Sequence, residues 1–344
     1  VGVVARRRVI SRRGFLGRVS GVAVAAAGFP QIVPASVLGR DGEVAPSNRV
    51  TLGFIGLGEE GKLKNLRKFM AEPDVEVVAL CDVHDKRLHG AHLAMQAYAV
   101  RPSIEEFRRC LTTMDWREVI DRDDVDAVVI STPDHWHVLP AIAAARSGKD
   151  VFCEKPISLT IHEGRVLSDT IRLYGRVFQV ASEARSIAHF VRACELVRNG
   201  RIGKLHTIHS EMYGGFGYPR FNVSPDWTPT APPEGFDYDM WLGPAADAPY
   251  TRFRCHGTFR FIYDYGGGNL TEWGPHINDI AQWGNDTERT GPVSIDGRGV
   301  FPRDGLYNTP TAFKVVYEFA DGVQFICNTA GPELARHEGC YVRC

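Results

Sequence analysis

Glu272, His276 and Asp279 follow directly on a run of three glycines, Gly266-Gly267-Gly268. Consecutive glycines let the backbone take positive φ or approach a ligand with no Cβ in the way. Gly274-Pro275 predicts a helix start, because proline at the first helical position gives up no hydrogen bond that the helix needs. On that helix His276 and Asp279 share a face, with Trp283 further along it. Glu272 precedes His276 by four residues, close enough in the chain for its carboxylate to orient the imidazole. An acid and a histidine at a helix start beside a glycine hinge are what proton transfer needs. They also suit a buried helix whose histidine merely caps a neighbour.

The elements that must position this chemistry lie upstream. Val50-Thr51-Leu52-Gly53-Phe54-Ile55 reads as a buried strand and runs into Gly56-Leu57-Gly58-Glu59-Glu60-Gly61, a G-x-G-x-x-G. A helical segment, 62–70, and a second strand, 75–81, come next, and the strand ends at Asp82. In that order the motif predicts a dinucleotide site. Gly56 permits the tight turn, Gly58 admits a pyrophosphate and Gly61 lets helix and strand pack closely. Asp82 would accept from ribose hydroxyls, which favours NAD over NADP. Two features pull the other way. Glu59 and Glu60 put negative charge where a pyrophosphate would sit, with Lys62 near enough to offset it, and Lys86 and Arg87 are placed to meet the 2′-phosphate of NADP.

The alternation continues. Helical segments are expected at 88–98, 115–120 and 138–147, with strands at 126–131 and 151–153. Strands alternating with helices imply a parallel, doubly wound sheet that binds ligands outside the carboxyl ends of its strands. Asp82, Thr132-Pro133-Asp134-His135-Trp136-His137 and Glu154-Lys155-Pro156 all fall at such ends, so one cleft can collect them. His135 and His137 form an H-x-H, but no third ligand clusters nearby and no metal site is assigned.

Length and composition bound the rest. The 344 residues carry a net charge of −1, with 44% hydrophobic and 24% charged residues, which is ordinary for a globular chain of two domains. That balance offers no electrostatic footprint for nucleic acid. Eight cysteines are spread without C-x-x-C spacing and read as small buried hydrophobes, with the terminal Cys340 and Cys344 left unassigned. Ser11-Arg12-Arg13-Gly14-Phe15-Leu16-Gly17, followed by a short apolar stretch, reads residues 1–40 as a twin-arginine export segment. The stretch is too short to span a bilayer, so no stable membrane insertion is expected, and the protein would be periplasmic or otherwise extracytoplasmic. Residues 41–48 read as a linker.

With these landmarks the chain resembles the Gfo/Idh/MocA oxidoreductase family over about residues 49–343. The resemblance rests on the glycine loop, Thr132 to His137, Glu154-Lys155-Pro156 and the 266–283 stretch. It implies a Rossmann domain over 49–170 and, over 171–344, an α+β domain with a large, open, mostly antiparallel sheet. Relatives usually continue past the point where this sequence stops. The resemblance also implies NAD, with NADP as the alternative, and a sugar or polyol substrate in a homo-oligomer. It makes Lys155, Glu272 and His276 catalytic, with His276 as general base. Gly56, Gly58, Gly61, Asp82, Thr132, Pro133, Asp134, His137, Glu154 and Lys155 become cofactor contacts, and Arg185, Asp279 and Trp241 substrate contacts.

Three positions depart from the family's usual residues. Glu272 replaces an aspartate, Asp134 an asparagine, and Glu183 stands where a glutamine-containing stretch is common. A lysine desolvated beside a nicotinamide should have a lowered pKa and share the proton work. The segment 213–261 interleaves Tyr213, Phe216, Tyr218, Trp227, Tyr238, Trp241, Phe253 and Phe259 with Arg220, Arg252, Arg254 and Arg260. Aromatic faces and arginines suit sugars, although aromatics also fill cores and subunit interfaces. Two other outcomes fit the same residues: a glycosidase working by transient oxidation, and a sugar-binding protein without catalysis.

Overall fold

The computed structural model describes residues 39, 44–98, 104–215, 227–329 and 341–344. The rest of the expected export segment, and Phe216, Tyr218 and Arg220, lie outside the described residues. The chain forms two compact units, Val1–Arg49 and Val50–Cys344. In the first, Pro46–Asn48 makes a single 3-10 turn. Everything below concerns the second.

Six parallel strands form the first sheet: β1 (Val50–Ile55), β2 (Val75–Cys81), β3 (Leu111–Thr113), β4 (Ala127–Ile130), β5 (Asp150–Cys153) and β6 (Phe178–Val180). Their order, β3-β2-β1-β4-β5-β6, is that of a doubly wound dinucleotide fold. The connection direction reverses between β1 and β4, which opens a crevice at the strands' carboxyl ends. Phe54, Leu80, Val129 and Ile130 in the central strands are buried on both faces. Helices cover these faces, including α1 (π turns over Glu59–Leu66, α over Arg67–Phe69), α2 (Asp85–Tyr98), α3 (Ile104–Arg109), α4 (Trp116–Ile120), α5 (Val138–Arg146) and α6 (Ile161–Tyr174). Strand β6 pairs with β5, so the parallel sheet runs past the expected boundary at 170, which falls inside α6. The local pattern of a three-residue strand cannot reveal which sheet accepts it; the hydrogen-bonding partner decides that.

After α7 (Ala188–Arg198) comes a five-stranded sheet of order β11-β7-β10-β9-β8. It contains β7 (Thr207–Met212), β8 (Ser294–Val300), β9 (Ala312–Glu318), β10 (Gln324–Thr329) and β11 (Tyr341–Arg343), with β10–β7 parallel and the other pairs antiparallel. Between β7 and β8 lie α8 (Tyr238–Leu242), a 3-10 turn at His256–Phe261 and α9 (Asn269–Gly284). Alternate residues of the sheet, among them Ile208, Met212, Val315, Phe325 and Cys327, pack with Ile277 and Ala281 of α9. Strand β8 is exposed along its length, which is why its sequence carries no apolar alternation to announce it.

Helix α9 corrects one expectation. It starts at Asn269, with Gly268 at φ 71° as its cap, and Pro275 lies inside it. Interior proline costs about 3 kcal/mol. Leu270, Trp273, Ile277 and Ala281 form one apolar stripe across that position, and packing this stripe on the sheet outweighs the local preference.

Candidate active site

The glycine loop is built as the spacing requires. Gly56 has φ 90°, and a Cβ there would lie 2.6 Å from the Ser131 carbonyl. A Cβ on Gly61 would sit 2.0 Å from the Gly56 carbonyl oxygen, so strand and helix can meet only at glycine. Gly58 differs: its added Cβ would find only an Arg87 nitrogen, at 3.6 Å, and would otherwise face the cleft. That space in front of the second glycine is what a pyrophosphate needs. Glu60 pairs with Lys64 at 2.9 Å, and Glu59 is exposed.

One cleft is lined by Gly56, Gly58, Asp82, Thr132, Pro133, Asp134, Glu154, Lys155, Trp241 and Glu272. Asp82 ends β2 in a buried position, where one carboxylate oxygen accepts from Leu57 N–H at 2.7 Å and the other from His84 N–H at 2.9 Å. Burial raises its pKa, against the pull of Arg87 and those two amides. Asn65 bridges Ser131 Oγ at 3.0 Å and Glu154 Oε1 at 2.9 Å, tying α1 to the ends of β4 and β5.

Gly61 and His137 stand outside this lining. His137 is fully buried, its ring nitrogens facing the Pro156 carbonyl at 2.5 Å and the Thr132 carbonyl at 2.9 Å. Burial pushes its pKa down while the two acceptors pull it up, and the net direction is down. Its geometry is that of a strut between two strand-end loops, not of a ligand contact.

The charged centre sits where the cleft meets a second cavity. Lys155 Nζ lies 3.3 Å from Glu272 Oε2, and Arg260 Nε reaches the same oxygen at 3.0 Å. Lys155, Arg260 and Glu272 line both spaces, and His276 lines the second. Glu272 therefore does not hold His276 as the spacing suggested, and no hydrogen bond joins the two among the described residues. Two cations on one carboxylate oxygen win over a helical neighbour.

Electrostatics divide the roles. Burial, helped by Arg260, would lower the Lys155 pKa, but the charges of Glu272 and then Glu154 more than offset it, and the ammonium is held above its ordinary value. This corrects the expectation of a lowered lysine. Burial, then the charge of Lys155, lowers the pKa of His276, leaving a neutral ring. Glu272 is held below the ordinary carboxylate range because Arg260 and Lys155 outweigh its burial. Asp134, buried and then repelled by Glu272, is pushed well up, and its Oδ2 has no hydrogen-bond partner. Of the two carboxyls, Glu272 keeps the charge and Asp134 takes the proton.

The three substrate candidates part company. Arg185 grips Asp279 through both oxygens, at 2.7 and 2.8 Å, and its guanidinium lies 5.3 Å from the Trp283 ring. Each satisfies the other, and neither lines the cleft or the second cavity. Trp241 does line the cleft, but it is buried among Tyr238, Tyr250 and Tyr265, so the aromatic segment serves chiefly as core. Arg260 belongs to the centre without any local signal beyond its place among interleaved arginines. It reaches Glu272 because its carbonyl accepts from Gly268 N–H at 2.8 Å, folding the 3-10 turn against the start of α9. Among the described residues no group of three metal-ligating side chains forms, and no helix is long and apolar enough to cross a membrane.

Two family models match most of the chain. Residues 50–182 match the Gfo/Idh/MocA model described as an oxidoreductase family, NAD-binding Rossmann fold. Residues 189–342 match that family's C-terminal alpha/beta domain. The chain belongs to the Gfo/Idh/MocA oxidoreductase family. As a member it carries the family's NAD-binding Rossmann domain. Similar curated proteins include an alpha-N-acetylgalactosaminidase of Shewanella oneidensis, 32% identical over 173 residues, 49% of this chain and 36% of that protein. A glycosyl hydrolase family 109 protein of a Shewanella species is 33% identical over the same shares. The chain thus spans about a third of the length of these curated relatives. Among solved Gfo/Idh/MocA-like folds, levoglucosan dehydrogenase in complex with NADH and L-sorbose aligns with TM-score 0.59 at 21% identity, over 82% of this chain and 67% of that one. Aldose-aldose oxidoreductase of Caulobacter crescentus aligns with TM-score 0.59 at 19% identity, over 82% and 71%. At these identities the structures speak for the fold alone.

Proposed function

We propose that this family member oxidises a secondary alcohol of a sugar or polyol, with His276 as general base and Lys155 as the cation that holds the reacting oxygen. The observation that carries this reading is the shared wall: Lys155 and Glu272 line both the glycine-loop cleft and the cavity of His276. A substrate in the second cavity would meet a neutral imidazole and a firm ammonium together. A nicotinamide, when bound, supplies the hydride acceptor. The chain's own residues handle the proton and the charge. His276, neutral near pH 7, takes the hydroxyl proton. Lys155 donates a hydrogen bond to the oxygen as negative charge develops on it. Glu272, itself held by Arg260, fixes the ammonium, and Asn65 with Glu154 fixes the loop that presents it.

The fit to a dinucleotide rests on the open face of Gly58, on Asp82 at the end of β2 and on the buried, unpartnered Thr132 Oγ1 in the lining. Whether NAD or NADP is used belongs to the same proposal, as do twin-arginine export, supported by Arg12-Arg13, and a homo-oligomeric state. Exposed Val293, Ile295, Val300 and Phe301, on and beside edge strand β8, support the oligomer. Light scattering that gives a 38.1 kDa particle would remove that part.

A second reading keeps the site and changes the outcome: net hydrolysis of a glycoside through transient oxidation. The named galactosaminidase relative supports it, and so does Asp134, a buried acid in its protonated form beside Glu272. The experiment is to denature the purified protein, identify the released nucleotide by mass, and screen sugars and aryl glycosides. Reduced nucleotide accumulating with a free sugar supports the first reading, and aglycone release without it the second. A chain that neither carries nor binds a nicotinamide nucleotide overturns both.

A further inference from the structure

At the Asp82 end of the cleft stands a cation that the proposed reaction does not use. Arg87, in the first turns of α2, lines the cleft with Gly58, Asp82 and His256. Its Nη2 lies 2.7 Å from His256 Nδ1. A guanidinium only donates, so Nδ1 is the acceptor and the ring is the neutral tautomer protonated on Nε2. Burial, then Arg87 itself, pushes His256 down to about 4, in agreement with that assignment. The bond therefore orients Arg87 without neutralising it. Among the described residues no carboxylate lies within ion-pairing distance of Arg87.

The holder is itself held. His256 takes φ 59°, in the left-handed region, as it opens the 3-10 turn that carries Arg260 to Glu272. The chain ahead of it docks on the end of β2: Asp85 N–H donates to the Gly235 carbonyl and Asp237 N–H to the Val83 carbonyl, both at 2.9 Å. Phe236 then packs against His84 at 5.4 Å and His256 at 5.7 Å. So fixed, Arg87 places Nη1 3.6 Å from where a Cβ on Gly58 would stand. This is the glycine that opens on the cleft, in the loop whose Glu59 and Glu60 also line it.

We propose that His256, contributed by the other half of the molecule, is the positioning residue that presents the Arg87 guanidinium to a phosphate of the dinucleotide. The inference rests on the NAD-binding reading. The shared chemistry is a phosphoryl oxyanion taken by a preoriented guanidinium. Two groups of a nicotinamide nucleotide offer it: the pyrophosphate at Gly58 and, in NADP, the 2′-phosphate beside Asp82.

Calorimetric titration of the purified chain with NAD, NADP and adenosine separates the cases, using wild type, Arg87→Gln and His256→Ala. Loss of a charge-assisted contact should weaken the affected dinucleotide about tenfold to a hundredfold while adenosine affinity stays unchanged. Loss for both dinucleotides assigns the pyrophosphate, and loss for NADP alone the 2′-phosphate. His256→Ala should show the same pattern at smaller amplitude, restored by His256→Asn, whose amide oxygen can accept the same bond. Dinucleotide affinities that ignore Arg87→Gln overturn the assignment, as does an equal loss for adenosine, which would make the residue merely structural. Wild-type protein that binds neither dinucleotide overturns the NAD-binding reading and Arg87 with it.

Discussion

At the scale of single residues, the centre separates a base from a cation by environment. Lys155 and His276 are both half-buried, yet only Lys155 has a carboxylate at 3.3 Å, so the lysine stays charged and the histidine neutral. Pairs of titratable groups pushed apart in this way mark acid and base roles. The proposed chemistry predicts that His276→Ala lowers kcat by about 10²–10⁴-fold with nucleotide affinity kept, which steady-state kinetics and calorimetry together would read. The pH profile has a definite sign. A base must be unprotonated, and His276 titrates below its ordinary 6.5, so activity should hold through neutral pH and fall only on the acid side of that value. An acid limb centred above 6.5 would rule out His276 as this base. Glu272→Gln removes the anion that offsets Lys155's burial, so the lysine pKa should fall. A new alkaline loss of activity in that variant is the expected sign.

At the scale of elements, the glycine loop and α9 show what local sequence can and cannot announce. Gly56 and Gly61 are required by contacts inside one strand–turn–helix unit, so their pattern was readable. Gly61→Ala would push a Cβ to 2.0 Å from a backbone oxygen. We expect it to cost about 1–3 kcal/mol in denaturant unfolding and to lose dinucleotide binding. Gly58→Ala meets only Arg87 at 3.6 Å, so it should keep full stability and lose affinity alone. Equal stability losses in the two variants would contradict these separate roles. In α9, by contrast, the local proline signal pointed to the wrong start. An apolar stripe packing on the second sheet decided where that helix begins, and no window around Pro275 contains that sheet.

At the scale of the whole molecule, the two halves meet over an aromatic hub. The Trp241 carbonyl faces His135 Nε2 and accepts from Trp136 Nε1, both at 2.9 Å, joining the end of β4 to α8. His135 is buried and its pKa falls from 6.5 to about 4, chiefly by desolvation. Its folded pKa lies below its unfolded one, so between those values the unfolded chain binds the extra proton. The stabilisation is present above about 6.5 and is lost as pH falls through about 4. Wild type should therefore lose Tm more steeply than His135→Gln across that window, and parallel slopes in the two proteins would refute it.

What the sequence by itself determined was the doubly wound sheet, the dinucleotide loop, the acid at Asp82 and the strand-end loops that deliver Lys155. Each depends on contacts between near neighbours or on a repeated period, and those survive in one dimension. The tertiary structure alone decided the partners of the charges. Lys155 and Glu272 lie 117 residues apart and Arg87 and His256 169 apart. Arg185 and Asp279, expected to meet a substrate, meet each other across 94 residues. A side chain's charge state and role follow from the groups and the solvent around it, and only folding brings those groups together.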